Sequence, residues 1–106
     1  MTTKDLERIF KKLYEKKYSI IEKKNHDYAK NDDCFSNFKL ASIISNIPVE
    51  KVFMSIIGIK IARILELLEN KNPKNESLED SLIDIGNYID LLTIWVEYTK
   101  EWIWIF

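Results

Sequence analysis

The chain has 106 residues, with 16 Lys and Arg against 17 Asp and Glu, so its formal net charge is −1 at pH 7. This length fits one domain over residues 1–106, and the near-neutral balance argues against a protein that binds duplex nucleic acid. The sequence contains 46% apolar residues but only two Gly and two Pro. An all-β fold needs a turn about every 8–12 residues, so this composition favours an all-α fold.

The first predicted helix runs from about residue 5 to residue 29. Its apolar residues recur at intervals of three, four and seven, which is typical of one face of a helix: Leu6, Ile9, Phe10, Leu13, Tyr14, Ile20, Ile21 and Tyr28. Residues 1–24 carry eight basic and four acidic side chains, a net charge of +4. The lysines of this segment are interpreted as a solvated face.

A polar loop over residues 30–37 precedes a short predicted helix at about 38–45. Asn46, Ile47 and Pro48 then interrupt the helical pattern, and proline suits the first turn of the next helix. That third helix, at about 49–69, is apolar almost all round and is therefore expected to be central and buried on most sides. Lys60 and Arg63 are three residues apart and lie on one of its faces.

A linker at residues 70–76 separates the third helix from the last one, which is predicted from about 78 to 100 or beyond. Ser77 and Asp80 resemble a capping box at its start. One face of this helix is apolar, with Leu82, Ile85, Ile89, Leu92 and Val96, and the opposite face carries Asp80, Asp84 and Asn87. Residues 66–106 hold nine acidic and three basic side chains, a net charge of −6.

The C-terminal helix or tail, residues 95–106, contains three Trp, one Tyr and one Phe. So much aromatic surface rarely stays exposed on a monomer, so we expect a homo-oligomer, at least a dimer, with this tail in the interface. Docking on a membrane surface is the second interpretation, weakened because the polar face is not basic.

The sequence also bears on location. It has a single cysteine, Cys34, no apolar signal-peptide core at its start, and no apolar run near the roughly 20 residues that cross a bilayer. These features predict a cytoplasmic protein without a membrane span.

Three groups of residues could carry chemistry. One lies at the end of the first helix and consists of Glu22, Asn25, His26 and Asp27, without the Cys and His spacing of a zinc site. Asp80, Asp84 and Asn87 place three oxygen-bearing side chains along one line of a helix, a pattern that suits Mg²⁺; the alternative is that Asp80 only caps the helix. Lys60 and Arg63 are two cations in an otherwise apolar helix. They indicate either phosphate binding or structural ion pairs with Asp80, Asp84 or Glu79.

Two stretches of the chain resemble the signature K-N-x-D-Y-G … F-x-N-F of the nucleotide modification associated domain 1 family, a phage and bacterial family grouped with the MazG-like all-α nucleotide pyrophosphohydrolases. They are Lys24-Asn25-His26-Asp27-Tyr28-Ala29 and Phe35-Ser36-Asn37-Phe38. The likeness continues through residues 60–63 and 76–88 and covers roughly residues 15–92.

This resemblance implies a MazG-like four-helix core that forms a homodimer or homotetramer. It also implies hydrolysis of a nucleoside triphosphate to a monophosphate and pyrophosphate, with Mg²⁺ or Mn²⁺ as the cofactor. MazG-like enzymes hold the metal with an E-x-x-E pair and an E-x-x-D pair. Glu22 matches one acid of the first pair and Asp84 the Asp of the second, whereas Asn25 and Ser81 stand at the other two positions, with Asp80 beside Ser81.

Carried over to this sequence, the resemblance implies a metal site of Glu22, Asp80 and Asp84. Asp27 would be a further metal ligand or a general base, and Lys60 and Arg63 would stabilise charge on the phosphoryl oxygens. The nucleotide would contact Asn25, Tyr28, Phe35, Asn37, Lys60, Arg63 and Asn87, with core packing as the alternative role of the two aromatic residues.

Because both acidic pairs are incomplete, a second hypothesis is a non-catalytic protein that binds or sequesters a nucleotide, as a phage protein directed against host defence would. A third is a helical interaction module in which every charge pair is structural. Convergence of Glu22, Asp80 and Asp84 in one cleft would favour the enzyme, and a cleft lined only by cations and aromatic residues would favour the binding protein.

Overall fold

A computed structural model describes the backbone of residues 1–28, 33–69 and 77–105, and the side chains of residues 1–24, 33–69 and 77–99. The described part is all-helical, with four helices: α1 (Thr3–Tyr28), α2 (Ser36–Ser45), α3 (Val49–Glu69) and α4 (Leu78–Ile105). The prediction of an all-α fold is confirmed. The chain divides into two compact units, Met1–Asn37 and Phe38–Phe106, and each is described by itself.

The first unit contains α1, which begins with a reciprocal cap. The Asp5 N–H donates to Thr2 Oγ1 at 3.1 Å, and the Thr2 N–H donates to Asp5 Oδ2 at 3.2 Å. These two hydrogen bonds pair two backbone N–H groups that have no partner within the helix, so α1 begins at Thr3. Asp33 forms a second local turn, in which its Oδ1 accepts a hydrogen bond from the Phe35 N–H at 3.0 Å.

Helix α2 ends in a left-handed residue. Asn46 has φ 56°, the Asn46 N–H donates to the Ile43 carbonyl, and the Ile47 N–H donates to the Ser42 carbonyl. This pattern is a Schellman motif, which asparagine tolerates better than most residues. Pro48 follows, and its carbonyl accepts the first hydrogen bonds of α3. The sharp end of α2 and the immediate start of α3 both follow from these residues.

The second unit is built on an antiparallel pair of helices, α3 and α4. Two cross-helix contacts fix the register: Trp95 Nε1 donates to Glu50 Oε1 at 3.1 Å, and Lys60 Nζ lies 2.8 Å from Asp84 Oδ2. Residue numbers rise on one helix as they fall on the other, so the helices run in opposite directions. The buried apolar side chains between and around them are Val49, Val52, Phe53, Ile57, Leu67, Ile83 and Trp95.

Phe38 of α2 joins this core through its ring. It stacks on Phe53, with 4.2 Å between centroids and 21° between planes, and it meets Tyr88 edge to face at 6.4 Å and 82°. Phe53 is fully buried, and Phe38 is the ring that takes part in both contacts.

The expectation that α3 is buried on most sides is wrong for the single chain. Met54, Ile59, Leu65 and Leu68 on this helix are each more than half exposed. Within the second unit, α3 is covered by α4 along one side and by Phe38 of α2 near its start, which leaves the remaining apolar residues uncovered.

Candidate functional site

One face of α4 carries three buried polar side chains at intervals of three residues. These are Ser81, Asp84 and Asn87, which together we call the α4 polar stripe; counted over backbone and side chain, the three residues are 0%, 9% and 6% exposed. Residues three apart lie on neighbouring positions of a helix surface, so the stripe follows one side of α4 for almost two turns. Buried polar groups in the middle of an apolar helix pair require partners, and these partners define the site.

Lys60 is the partner of Asp84. Its ammonium lies 2.8 Å from Asp84 Oδ2, and the two side chains are 27% and 12% exposed. The sequence predicted either phosphate binding or an ion pair for Lys60, and in the structure it forms the ion pair. Because both side chains are largely shielded from water, their attraction is screened less than that of a surface pair.

Arg63, one turn along α3 from Lys60, is oriented differently. Its Nη1 lies 3.4 Å from Glu66 Oε2 on the same helix, and its side chain is 37% exposed. Arg63 is therefore three residues from Lys60 along the chain, and its guanidinium is partly exposed to solvent. A planar guanidinium that remains accessible is suited to a phosphate group.

Two atoms of the α4 polar stripe have no hydrogen-bond partner among the described residues. They are Ser81 Oγ and Asn87 Nδ2, and both are shielded from solvent. Both can donate a hydrogen bond, so the stripe offers donors on either side of the Lys60–Asp84 pair.

Asp80 was predicted to share a line with Asp84 along α4, but unlike Asp84 it is not buried. Its side chain is exposed, and its backbone N–H donates to Ser77 Oγ at 3.1 Å. Ser77 is thus the N-cap of α4, as its position before the helix predicted. Ser81, one residue later, takes the buried position. Ser81 lies three residues before Asp84 and six before Asn87, and this spacing is the sequence signal that would have placed it on the same face of α4.

The remaining predicted residues belong to the first unit. Glu22 is exposed on α1, the Phe35 side chain is 8% exposed, and Asn37 is exposed. Burial of Phe35 agrees with a packing role. The side chains of Asn25, Asp27 and Tyr28 lie outside the described residues, so their predicted contacts with the nucleotide or metal stay predictions.

Metal binding was predicted for Glu22, Asp80 and Asp84. Within the ranges whose side chains are described, no group of three or more His, Cys, Asp and Glu residues is arranged to hold a metal ion. Mg²⁺ is often bound by only one or two carboxylates together with substrate phosphates and water, so the oxygens of Asp84 and Asn87 fit part of such a donor set. The three-residue site stays a prediction.

Among the described helices, none combines the length and the apolar character that crossing a bilayer would require. A scan against protein-family models, a search of curated protein sequences and a search of solved structures each gave no significant match. The resemblance to the nucleotide modification associated domain 1 family therefore stays a prediction from the motifs, and the site itself carries the functional argument.

Proposed function

We propose that this chain is a Mg²⁺-dependent nucleotide pyrophosphohydrolase whose phosphate-binding groups lie along the face that α3 and α4 share. The observation that supports the proposal best is the largely buried Lys60–Asp84 pair, with donors of the α4 polar stripe on both sides. A buried ion pair contributes little net stability compared with apolar residues of the same size. Its presence in an otherwise apolar helix pair is explained more readily by function.

The charge of each side chain determines its role in the proposed reaction. Lys60 and Arg63 would bind the phosphate oxygens and stabilise the negative charge that builds up on them during cleavage. Asn87 would orient a phosphate oxygen or a water molecule through its amide. Asp84 would hold the divalent cation. The cation supplies neutralisation of phosphate charge and a more acidic bound water.

The second candidate is a protein that binds a nucleotide without cleaving it. Two observations favour it: Asp84 is already paired with Lys60, and no acidic group of three residues is assembled among the described side chains. In this case Lys60 and Arg63 would remain the phosphate contacts, and the Lys60–Asp84 pair would hold the lysine in place.

The experiment is a panel of nucleoside triphosphates and deoxynucleoside triphosphates incubated with the protein and Mg²⁺. Pyrophosphate release and binding of intact nucleotide are both measured. Release is expected for the enzyme, and Asp84→Asn should abolish both the release and any rise of the melting temperature with Mg²⁺. Glu97→Gln, which changes an exposed acid on the same helix, is the matched control.

For the binding protein, Arg63→Ala should weaken nucleotide retention more than Asp84→Asn does. Lys51→Ala, an exposed cation on the same helix as Arg63, is the control. Circular dichroism of each variant checks that the helices are intact. If neither substitution changes metal response, nucleotide binding or turnover, both proposals fail and the charge pairs are structural.

A further inference from the structure

Ser81 Oγ and Asn87 Nδ2 are the two described buried side-chain atoms that lack a hydrogen-bond partner. Ser81 is fully buried and Asn87 is 6% exposed. The large majority of buried polar atoms in folded proteins are paired, and each exception needs an explanation. Here the two exceptions lie on the same stripe of the same helix, which points to a shared cause.

The position of these atoms suggests what would pair with them. Ser81 and Asn87 lie three residues before and three residues after Asp84, whose carboxylate is held by Lys60. Six helical residues correspond to about 9 Å along the axis. The stripe therefore presents two hydrogen-bond donors, about 9 Å apart along α4, with the Lys60–Asp84 ion pair between them.

We propose that Ser81 Oγ and Asn87 Nδ2 donate hydrogen bonds to the oxygens of a polyphosphate chain whose charge is met by Lys60. This inference rests on the proposed function and names the part of the nucleotide that the stripe recognises. Two donors and a cation are complementary to an anion that has several acceptor oxygens. Their separation suits a chain of linked phosphates better than a single phosphate group.

Ser81 gains a role from this arrangement that its position alone does not indicate. A hydroxyl group at this point carries no charge and can donate a hydrogen bond, so it suits a phosphate oxygen instead of a cation. Because Ser81 is fully buried in the free chain, a phosphate oxygen reaches its hydroxyl only when the side chains that cover it move aside.

The test uses inorganic triphosphate as the probe with the full chain, followed by calorimetric titration and thermal unfolding. The parent protein should bind the probe and melt at a higher temperature in its presence. Ser81→Ala and Asn87→Leu should each bind about ten- to a hundred-fold more weakly, as expected for loss of one hydrogen bond to a charged group. Ser55→Ala, an exposed serine on α3, should bind like the parent.

Melting without the probe separates a binding role from a structural one. Ser81→Ala should melt at the same temperature as the parent or higher, because it removes a buried hydroxyl that has no partner. If it melts lower and binds triphosphate with unchanged affinity, the hydroxyl is structural and the inference is overturned. Failure of the parent to bind triphosphate overturns it as well.

Failure of this inference can be distinguished from failure of the proposed function. Triphosphate binding that depends on Ser81 supports the inference even if no nucleotide is hydrolysed. Hydrolysis that continues in Ser81→Ala with unchanged triphosphate affinity supports the proposed function and refutes the inference.

Discussion

Asp84 brings a carboxylate into the buried face of α4, and Lys60 is the counter-charge that makes its burial tolerable. An isolated charge in such a place would be strongly unfavourable, whereas a paired charge is close to neutral in its net effect. The 2.8 Å separation and the low exposure of both side chains place this pair between a surface ion pair and a fully buried one. Removing one partner should therefore do more harm than removing both.

We predict that Lys60→Met lowers the free energy of unfolding by about 2 kcal/mol, because it leaves the Asp84 carboxylate shielded without a counter-charge. The loss is smaller than for a fully buried pair, because both side chains keep some contact with solvent. The double variant Lys60→Met/Asp84→Leu should recover most of the loss. Urea unfolding of the parent, both single variants and the double variant measures the coupling. Additive losses would contradict the prediction.

The candidate site shows how far spacing along a helix predicts a site. Asp84 and Asn87 were predicted to share a polar face, and they do so with Lys60 opposite Asp84. The spacing of four also placed Asp80 on that face, but Ser81 is the buried residue there. Adjacent residues differ by about 100° around a helix. Which of them is covered depends on the angle at which α3 approaches α4, and no local pattern contains that angle.

At the scale of single helices, local signals predicted that all four helices exist and where α3 begins and ends. The predicted boundaries of α3 agree with the structure, because the left-handed Asn46 and Pro48 punctuate the chain before it. The start of α1 was placed two residues late, since Thr2 was not identified as its cap. Exposure of α3 was not predicted, because an apolar sequence cannot reveal how many neighbours are present to cover it.

The cap of α1 makes a prediction about pH. The backbone N–H and the hydroxyl of Thr2, with a smaller effect from Arg8, hold the pKa of Asp5 below its ordinary value of 3.8, against a small opposing effect of desolvation. A lowered pKa in the folded state means that the ionised carboxylate stabilises the helix. This stabilisation is fully present above pH 3.8 and is lost as the pH falls through the lower, folded-state pKa.

Carboxyl titration by NMR should therefore place the Asp5 midpoint below 3.8, and Thr2→Val should move it upward by removing the hydroxyl. The helix signal near the N-terminus should weaken over the same acidic range in the parent and show no such step in Asp5→Asn. Glu7→Gln, an exposed neighbour, is the control. An Asp5 midpoint at or above 3.8 would show that the reciprocal cap does not form in solution.

At the scale of the whole chain, the distribution of apolar side chains is unusual. Eight apolar residues are buried among the described residues, whereas twenty large apolar side chains are exposed. Isolated exposed apolar residues are normal, but contiguous ones indicate a surface that another molecule covers. On α4 the exposed residues Leu82, Ile89 and Val96 recur every seven positions, the repeat that self-associating helices use.

We predict that the protein forms at least a dimer and that this repeat on α4 is part of the contact between copies. Light scattering at micromolar concentration should give a mass of at least twice 12.6 kDa. Ile89→Glu places a charge in the middle of the repeat and should lower the mass toward that of the monomer, since a buried unpaired carboxylate is strongly unfavourable. Ser55→Glu adds the same charge at an exposed position of α3 and should leave the mass unchanged.

Two deletions in the C-terminal segment distinguish the Trp95–Glu50 contact from the aromatic tail as contributions to assembly. Trp95 is buried and its Nε1 donates to Glu50, so deleting residues 95–106 removes a contact within the second unit as well as the aromatic tail. Deleting residues 100–106 alone keeps the Trp95–Glu50 bond. If the tail lies in the interface, the shorter deletion should reduce the mass while circular dichroism still shows a helical fold. A parent protein of 12.6 kDa at micromolar concentration would refute self-association.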